Sequence, residues 1–229
     1  MRFSRPLTRR LSLSLCSEIL MSGSQTQSGT YIINGIEYNE PQVPLSLIKA
    51  MEEKWAARLR DKGAVRLSAV EYYQSLEHPE LGDNNEAKGV LRVDGHEMKA
   101  GSANEVYIWC AATSDAPYSK LKGLYSSYNS ILHVRDVAEF VRRILSAARD
   151  NGYRLYPHLG KVNYNRGKEV SIDVLNGQKF HYNVFQKSPT YAHQKEYRLS
   201  FTNVSRERIG NKHIDLEIGN CRDIIDVET

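Results

Sequence analysis

No apolar run in the chain approaches the roughly 18 residues that a membrane-crossing helix needs, which excludes a helical span. Cysteine is sparse. Cys16, Cys110 and Cys221 are the three, and none sits in a C-x-x-C pair, so zinc-ribbon and thioredoxin-type motifs are absent. An odd, sparse count fits a reducing, cytoplasmic compartment. The catalytic loops with a recognisable spacing are missing too. There is no G-x-x-x-x-G-K-[ST], no G-x-G-x-x-G, no H-E-x-x-H and no G-x-S-x-G, which removes the commonest nucleotide cradles, zinc proteases and serine hydrolases. A single-signed charge stripe is also missing. Lys and Arg total 31 against 27 Asp and Glu, for a net charge of +4. Nucleic acid is permitted as a partner by this balance and not required by it.

What remains is an ordinary folded-protein composition over 229 residues, long enough for a sizeable core without staples. Residues 1–30 are basic, Ser-rich and aperiodic, with Met21 a second candidate start. They are expected to be a disordered or artefactual tail outside the fold. Residues 31–229 are expected to form a single α+β domain. YIINGIEY, Tyr31 to Tyr38, carries the Asn-Gly signature of a tight hairpin. Leu47, Ile48, Met51, Trp55 and Leu59 fall at helical spacing, with Gly63 as the stop. Asp94-Gly95 predicts a second hairpin. VYIWCAA and SILHV read as apolar strands, with Cys110 buried and inert. Asp136 and Glu139 form an N-cap and N3 pair ahead of a stripe of Val137, Phe140, Val141, Ile144, Leu145 and Ala148, which Gly152 ends. The last third is strand-rich: GKVNY, EVSIDVL, KFHYNVF, EYRLSF and HIDLEI. Two clear helices against about nine strands, joined mostly by hairpins, predict a largely antiparallel mixed sheet with two to four packed helices.

Two segments concentrate chemistry. Residues 65–89 carry Arg66, the pair Tyr72 and Tyr73, and a polar loop with Asp83 and Glu86. Carboxylates three apart in such a loop can hold a metal, accept sugar hydroxyls or cap a turn. Residues 184–201 carry Lys187, Tyr191, Glu196 and Arg198 around a Ser-Pro turn. In EYRLSF the strand period puts Glu196, Arg198 and Ser200 on one face and Tyr197, Leu199 and Phe201 on the core face. If the first face lines a cleft, Arg198 is an anion clamp and Glu196 a candidate base.

These pieces resemble a broad, largely uncharacterised bacterial family, some of whose relatives are linked to abortive infection and phage defence. The matching pieces are Arg66-Leu67-Ser68, Asp83 to Glu86, Trp109-Cys110-Ala111, Lys161-Val162-Asn163-Tyr164, and the closing run Phe185-Gln186-Lys187 with Tyr191, Gln194, Glu196, Tyr197 and Arg198. The closing F-x-K…Y…E-Y-R motif carries the resemblance, which spans roughly residue 64 to the C-terminus. It implies a fold and a defence or toxin-like setting, not a reaction.

Three functional readings follow. An enzyme of the ADP-ribosyltransferase type takes NAD as cofactor. It needs a cation for the phosphate and ribose side, an aromatic ring for nicotinamide, and a late glutamate for the ribose hydroxyl and the oxocarbenium-like state. Arg66, Tyr72, Tyr73, Lys187 and Tyr191 are the candidate binding residues, and Glu196, Arg198 and Glu86 the candidate catalytic ones. A nuclease using Mg²⁺ would draw on Asp173 and Glu196, although Arg198 stands where such sites place Lys and cannot act as a base. The third reading is a non-catalytic module with a Tyr-rich sheet that binds nucleic acid or protein. Partners under these readings are a nucleotide or nucleic acid, with no membrane and no metal ligand set assigned.

Overall fold

A computed structural model describes residues 30–33, 36–39, 44–76, 82–93, 95–100, 104–117, 121, 127–164, 166 and 184–229. β1 (Thr30–Ile33) and β2 (Ile36–Asn39) pair antiparallel with Ile33 opposite Ile36, the expected first hairpin. Its Asn34-Gly35 turn lies outside the described residues, as do most of the tail, EVSIDVL, Asp173 and most of KFHYNVF. β3 (Leu47–Met51), α1 (Glu53–Lys62), β4 (Ala64–Ala69) and the short α2 (Val70–Gln74) follow. This corrects the reading of one helix through Leu47 to Leu59. The helix begins only at Glu53, and the residues before it are extended and sheet-paired. Ile48 and Ala50 pack on one side of the sheet and Leu47 and Met51 on the other, so both sides of this strand are covered. A short apolar run of this kind satisfies helical and strand spacing equally. Gly63 does close α1, at φ 69°, and a side chain there would drive into the Gly219 carbonyl.

β5 (Gly89–Val93) and β6 (His96–Ala100) form the second expected hairpin. β7 (Val106–Thr113), β8 (Ser130–Val134), α3 (Val137–Asp150), β9 (Leu155–Lys161), a 3₁₀ turn at Pro189–Gln194, β10 (Glu196–Asn203), β11 (His213–Glu217) and β12 (Ile225–Glu228) complete the chain. Eight of these strands make one antiparallel open sheet, in the order β11-β4-β7-β3-β8-β12, with β10 bridging β7 and β9. The protein is an α+β fold, as its pattern predicts.

α3 starts as expected. The Asp136 carboxylate accepts the Glu139 amide at 2.9 Å. Its Phe140, Val141, Ile144 and Ala148 are buried on the face of the sheet built by Tyr107, Trp109, Tyr197, Leu199 and Phe201. The Trp109 and Phe140 rings lie 5.0 Å apart. The phase read from EYRLSF is therefore correct.

The sheet divides at β7. One edge of β7 is paired with β10 from Val106 to Ala112. On the other edge β4 takes only Tyr107 and Ile108, and β3 takes only Ala112 and Thr113. Trp109, Cys110 and Ala111 are left without a strand partner on that edge. β3 and β4 diverge there, and the gap positions the site.

Candidate functional site

The face of β10 opposite the helix is not solvated. By register Arg198 lies opposite Cys110, Glu196 opposite Ala112 and Ser200 opposite Ile108. The segments 82–88 and 184–194 cover this face, with Ala87, Val184 and Phe185 packed on it. Gly160, opposite Arg198 on β9, leaves room for the Phe185 ring, 3.3 Å from where a Cβ would sit.

Arg198 is fully buried. Its guanidinium donates to both Glu86 oxygens, at 2.5 and 3.0 Å, to Glu196 Oε1 at 2.6 Å, and to the Val184 carbonyl. The Lys187 amine, also buried, donates to Glu196 Oε2 and to Gln194 Oε1, both at 2.8 Å. It lies over the Tyr191 ring at 4.8 Å, and the Tyr191 hydroxyl donates to the Gly82 carbonyl. The Glu196 backbone amide donates to the Tyr164 hydroxyl oxygen at 2.7 Å. Alongside, Arg166 grips both Asp83 oxygens, at 2.7 and 2.9 Å, and the Gln186 carbonyl. Asp83 and Glu86 thus each face a guanidinium, which accounts for both acids of the polar loop. Three cations and three carboxylates balance, as buried charges must. Burial alone would raise the Glu196 carboxyl, but Arg198 and Lys187 outweigh it and hold the group ionised, well below the usual carboxylate range. The neighbouring carboxylates likewise hold Lys187 charged above its ordinary value against its burial.

The network forms one wall of a hollow of about 100 Å³. Lys49, Tyr73, Cys110, Lys187, Gln194 and Glu196 supply its polar lining. Ile48, Ala50, Leu121 and Tyr128 supply its apolar lining. A second, larger cleft of about 510 Å³ shares Lys49, Tyr73 and Cys110. Trp55, Arg58, Arg66, Trp109 and Asp215 line it further. The two hollows share Lys49, Tyr73 and Cys110 at the gap in the sheet. Lys49 crosses that gap: its amine donates to the unpaired Cys110 carbonyl at 2.5 Å and sits 5.1 Å from the centre of the Trp109 ring. No carboxylate pairs with Lys49 among the described residues.

The structure brings Glu86, Lys187, Tyr191, Glu196 and Arg198 into one network, with Tyr73 on the same hollow. Arg66 lies at the other mouth and is held by Asp215 at 2.7 and 3.0 Å in an exposed, two-pronged pair. Tyr72 is set apart. It stacks edge-on against His213 and Tyr73, at 4.5 and 5.5 Å, and lines a separate hollow with Glu105 and Tyr107. Cys110 is half-buried rather than buried. Its thiol is still inert as a nucleophile, because burial and the Glu196 carboxylate push its pKa up. Sequence reasoning missed Lys49 and Arg166. Neither lies in a motif, and each meets its partner only through the tertiary fold. The described residues hold no group of three or more His, Cys, Asp or Glu arranged for a metal ion, and no helix among them is long and apolar enough to cross a membrane.

No protein-family model, curated protein or solved structure matches the chain. The functional reading therefore rests on the geometry of this site.

Proposed function

We propose that the chain binds a nucleotide in the divided sheet and acts on its sugar by chemistry of the ADP-ribosyltransferase type, with NAD as the cofactor consumed. The observation that carries this reading is that two unlike hollows share Lys49, Tyr73 and Cys110 at one gap. One mouth offers the half-exposed Trp55 ring with Arg58 and Arg66 beside it, a setting for a base and its phosphates. The other offers the Glu196 carboxylate, ionised and fixed by Arg198 and Lys187, as an acceptor for a ribose hydroxyl and a counter-charge for an oxocarbenium-like state. A fixed carboxylate has no reorganisation to undergo when positive charge develops beside it. Arg198 and Glu86 are positioning residues in this account, since both are buried behind Glu196. On the resemblance read from the closing motif of the sequence, a defence or toxin-like effector is the setting proposed for such an activity.

One observation favours a non-catalytic binding module instead: both Glu196 oxygens already accept charged hydrogen bonds. The nuclease reading gains nothing from Glu196, because a Mg²⁺ ion there would sit against Arg198 and Lys187.

The purified protein, assayed for NAD loss with and without Mg²⁺ and nucleic acid, is expected to consume NAD without the metal. Glu196→Gln is expected to slow that reaction by about 10²–10³-fold, the usual loss when one charge-stabilising group is removed. Nucleic-acid cleavage that depends on Mg²⁺ would establish the nuclease instead. Nucleotide binding with no turnover would establish the module.

A further inference from the structure

We infer that Lys49 is a nucleophilic amine that forms an imine with a small carbonyl compound bearing a negative charge, an activity independent of the nucleotide reading. Four observations converge on it. The amine projects into the gap between β3 and β4, where both hollows reach it. Its hydrogen bond is to a backbone carbonyl, which does not hold it in the charged form as a carboxylate would. Ile48, Ala50, Trp109 and Tyr128 give the space around it an apolar and aromatic side, beside the polar wall of Lys187 and Glu196. Finally, apart from the exposed Arg58 over the Trp55 ring, the other cations nearby are already matched. Lys187 and Arg198 have Glu196 and Glu86, and Arg66 has Asp215. Arg58 and the protonated fraction of Lys49 are the positive charge left unmatched here, so an anionic ligand is the one that the cleft would draw in.

Burial lowers the Lys49 pKa, and this outweighs the opposing pull of Cys110 and Glu196. The neutral amine is the form that attacks carbonyl carbon, and each unit of lowering raises its share about tenfold at neutral pH. In the reaction the nitrogen lone pair forms a C–N bond with the carbonyl carbon, giving a carbinolamine. The carbonyl oxygen then leaves as water with the two amine protons, and the C=N bond remains. No oxidant or reductant enters this step. Tyr73, kept protonated by its burial, borders the same space and can hydrogen-bond the carbonyl oxygen.

The test is reductive trapping of the full chain at neutral pH with glyoxylate and a limiting amount of cyanoborohydride, followed by peptide mapping. Lys49 is expected to carry the adduct severalfold more often than the exposed Lys54 and Lys195. Lys49→Arg keeps a cation for the Cys110 carbonyl and should remove this adduct while leaving the surface labelling unchanged. Labelling spread over exposed lysines with Lys49 unmodified would overturn the inference. The map of the wild-type protein decides this even if the variant fails to fold. NAD loss is read separately, so each proposal can fail alone.

Discussion

Arg198→Met is expected to cost about 3–5 kcal/mol of folding stability, read from urea denaturation, because it strips a buried charge network of its central cation. Glu86 loses the guanidinium that holds both of its oxygens, and Glu196 keeps only Lys187. A carboxylate left behind in that space must stay ionised without its counter-charge or take up a proton, and either is unfavourable. Arg198→Lys restores charge but not the planar fork that reaches Glu86, Glu196 and the Val184 carbonyl at once, so it should recover only part of the loss. The paired change Glu86→Met with Arg198→Met should be less harmful than Arg198→Met alone, since it removes the orphaned acid as well. By contrast Arg66→Met should cost no more than about 1 kcal/mol, since Arg66 and Asp215 form an exposed pair. Equal effects at the two arginines would show that the buried network is not what ties segments 82–88 and 184–194 to the sheet.

Ile144→Ala is expected to cost about 2–5 kcal/mol, the range for truncating a buried isoleucine. Ile144 is fully buried on α3 within the cluster that also holds Phe140, Leu132, Leu199 and Phe201. The strands below are fixed by their ladders, so the space left by the missing atoms cannot close fully. A melting or urea curve that moves by less than about 0.5 kcal/mol would place that face of α3 away from the sheet.

Local signals in the sequence carried the fold well wherever a single period dominated. Asp136 with Glu139 and the stripe from Val137 to Ala148 define α3, and strict alternation in EYRLSF gives the phase of β10. Leu47 to Met51 was misread because five apolar-rich residues fit either period, and the pairing of β3 with β8 decides the outcome. β12 was missed because Ile225–Glu228 has only two apolar residues, and it becomes a strand through its pairing with β8. The site was legible in part. Glu196, Arg198 and Lys187 stand close in sequence on one strand and the turn before it, so their proximity follows from local geometry. The partners from elsewhere were not legible. Glu86 meets Arg198 across 112 residues, Asp83 meets Arg166 across 83, and Lys49 meets Cys110 across 61. Such pairings follow from topology, and above all from the gap where β3 and β4 part on β7.

The proposed nucleotide site at this gap is open to a direct test, because the chain's two tryptophans both line the larger cleft there. Intrinsic fluorescence is therefore a direct reporter. Titration with NAD or ADP-ribose should give a saturable quench, and Trp55→Ala should weaken the affinity about tenfold while Trp109 still reports, in line with about 1–3 kcal/mol for one stacking contact. A signal that stays flat through millimolar nucleotide, or a quench whose midpoint is the same in Trp55→Ala, would contradict the claim that the divided sheet binds a nucleotide.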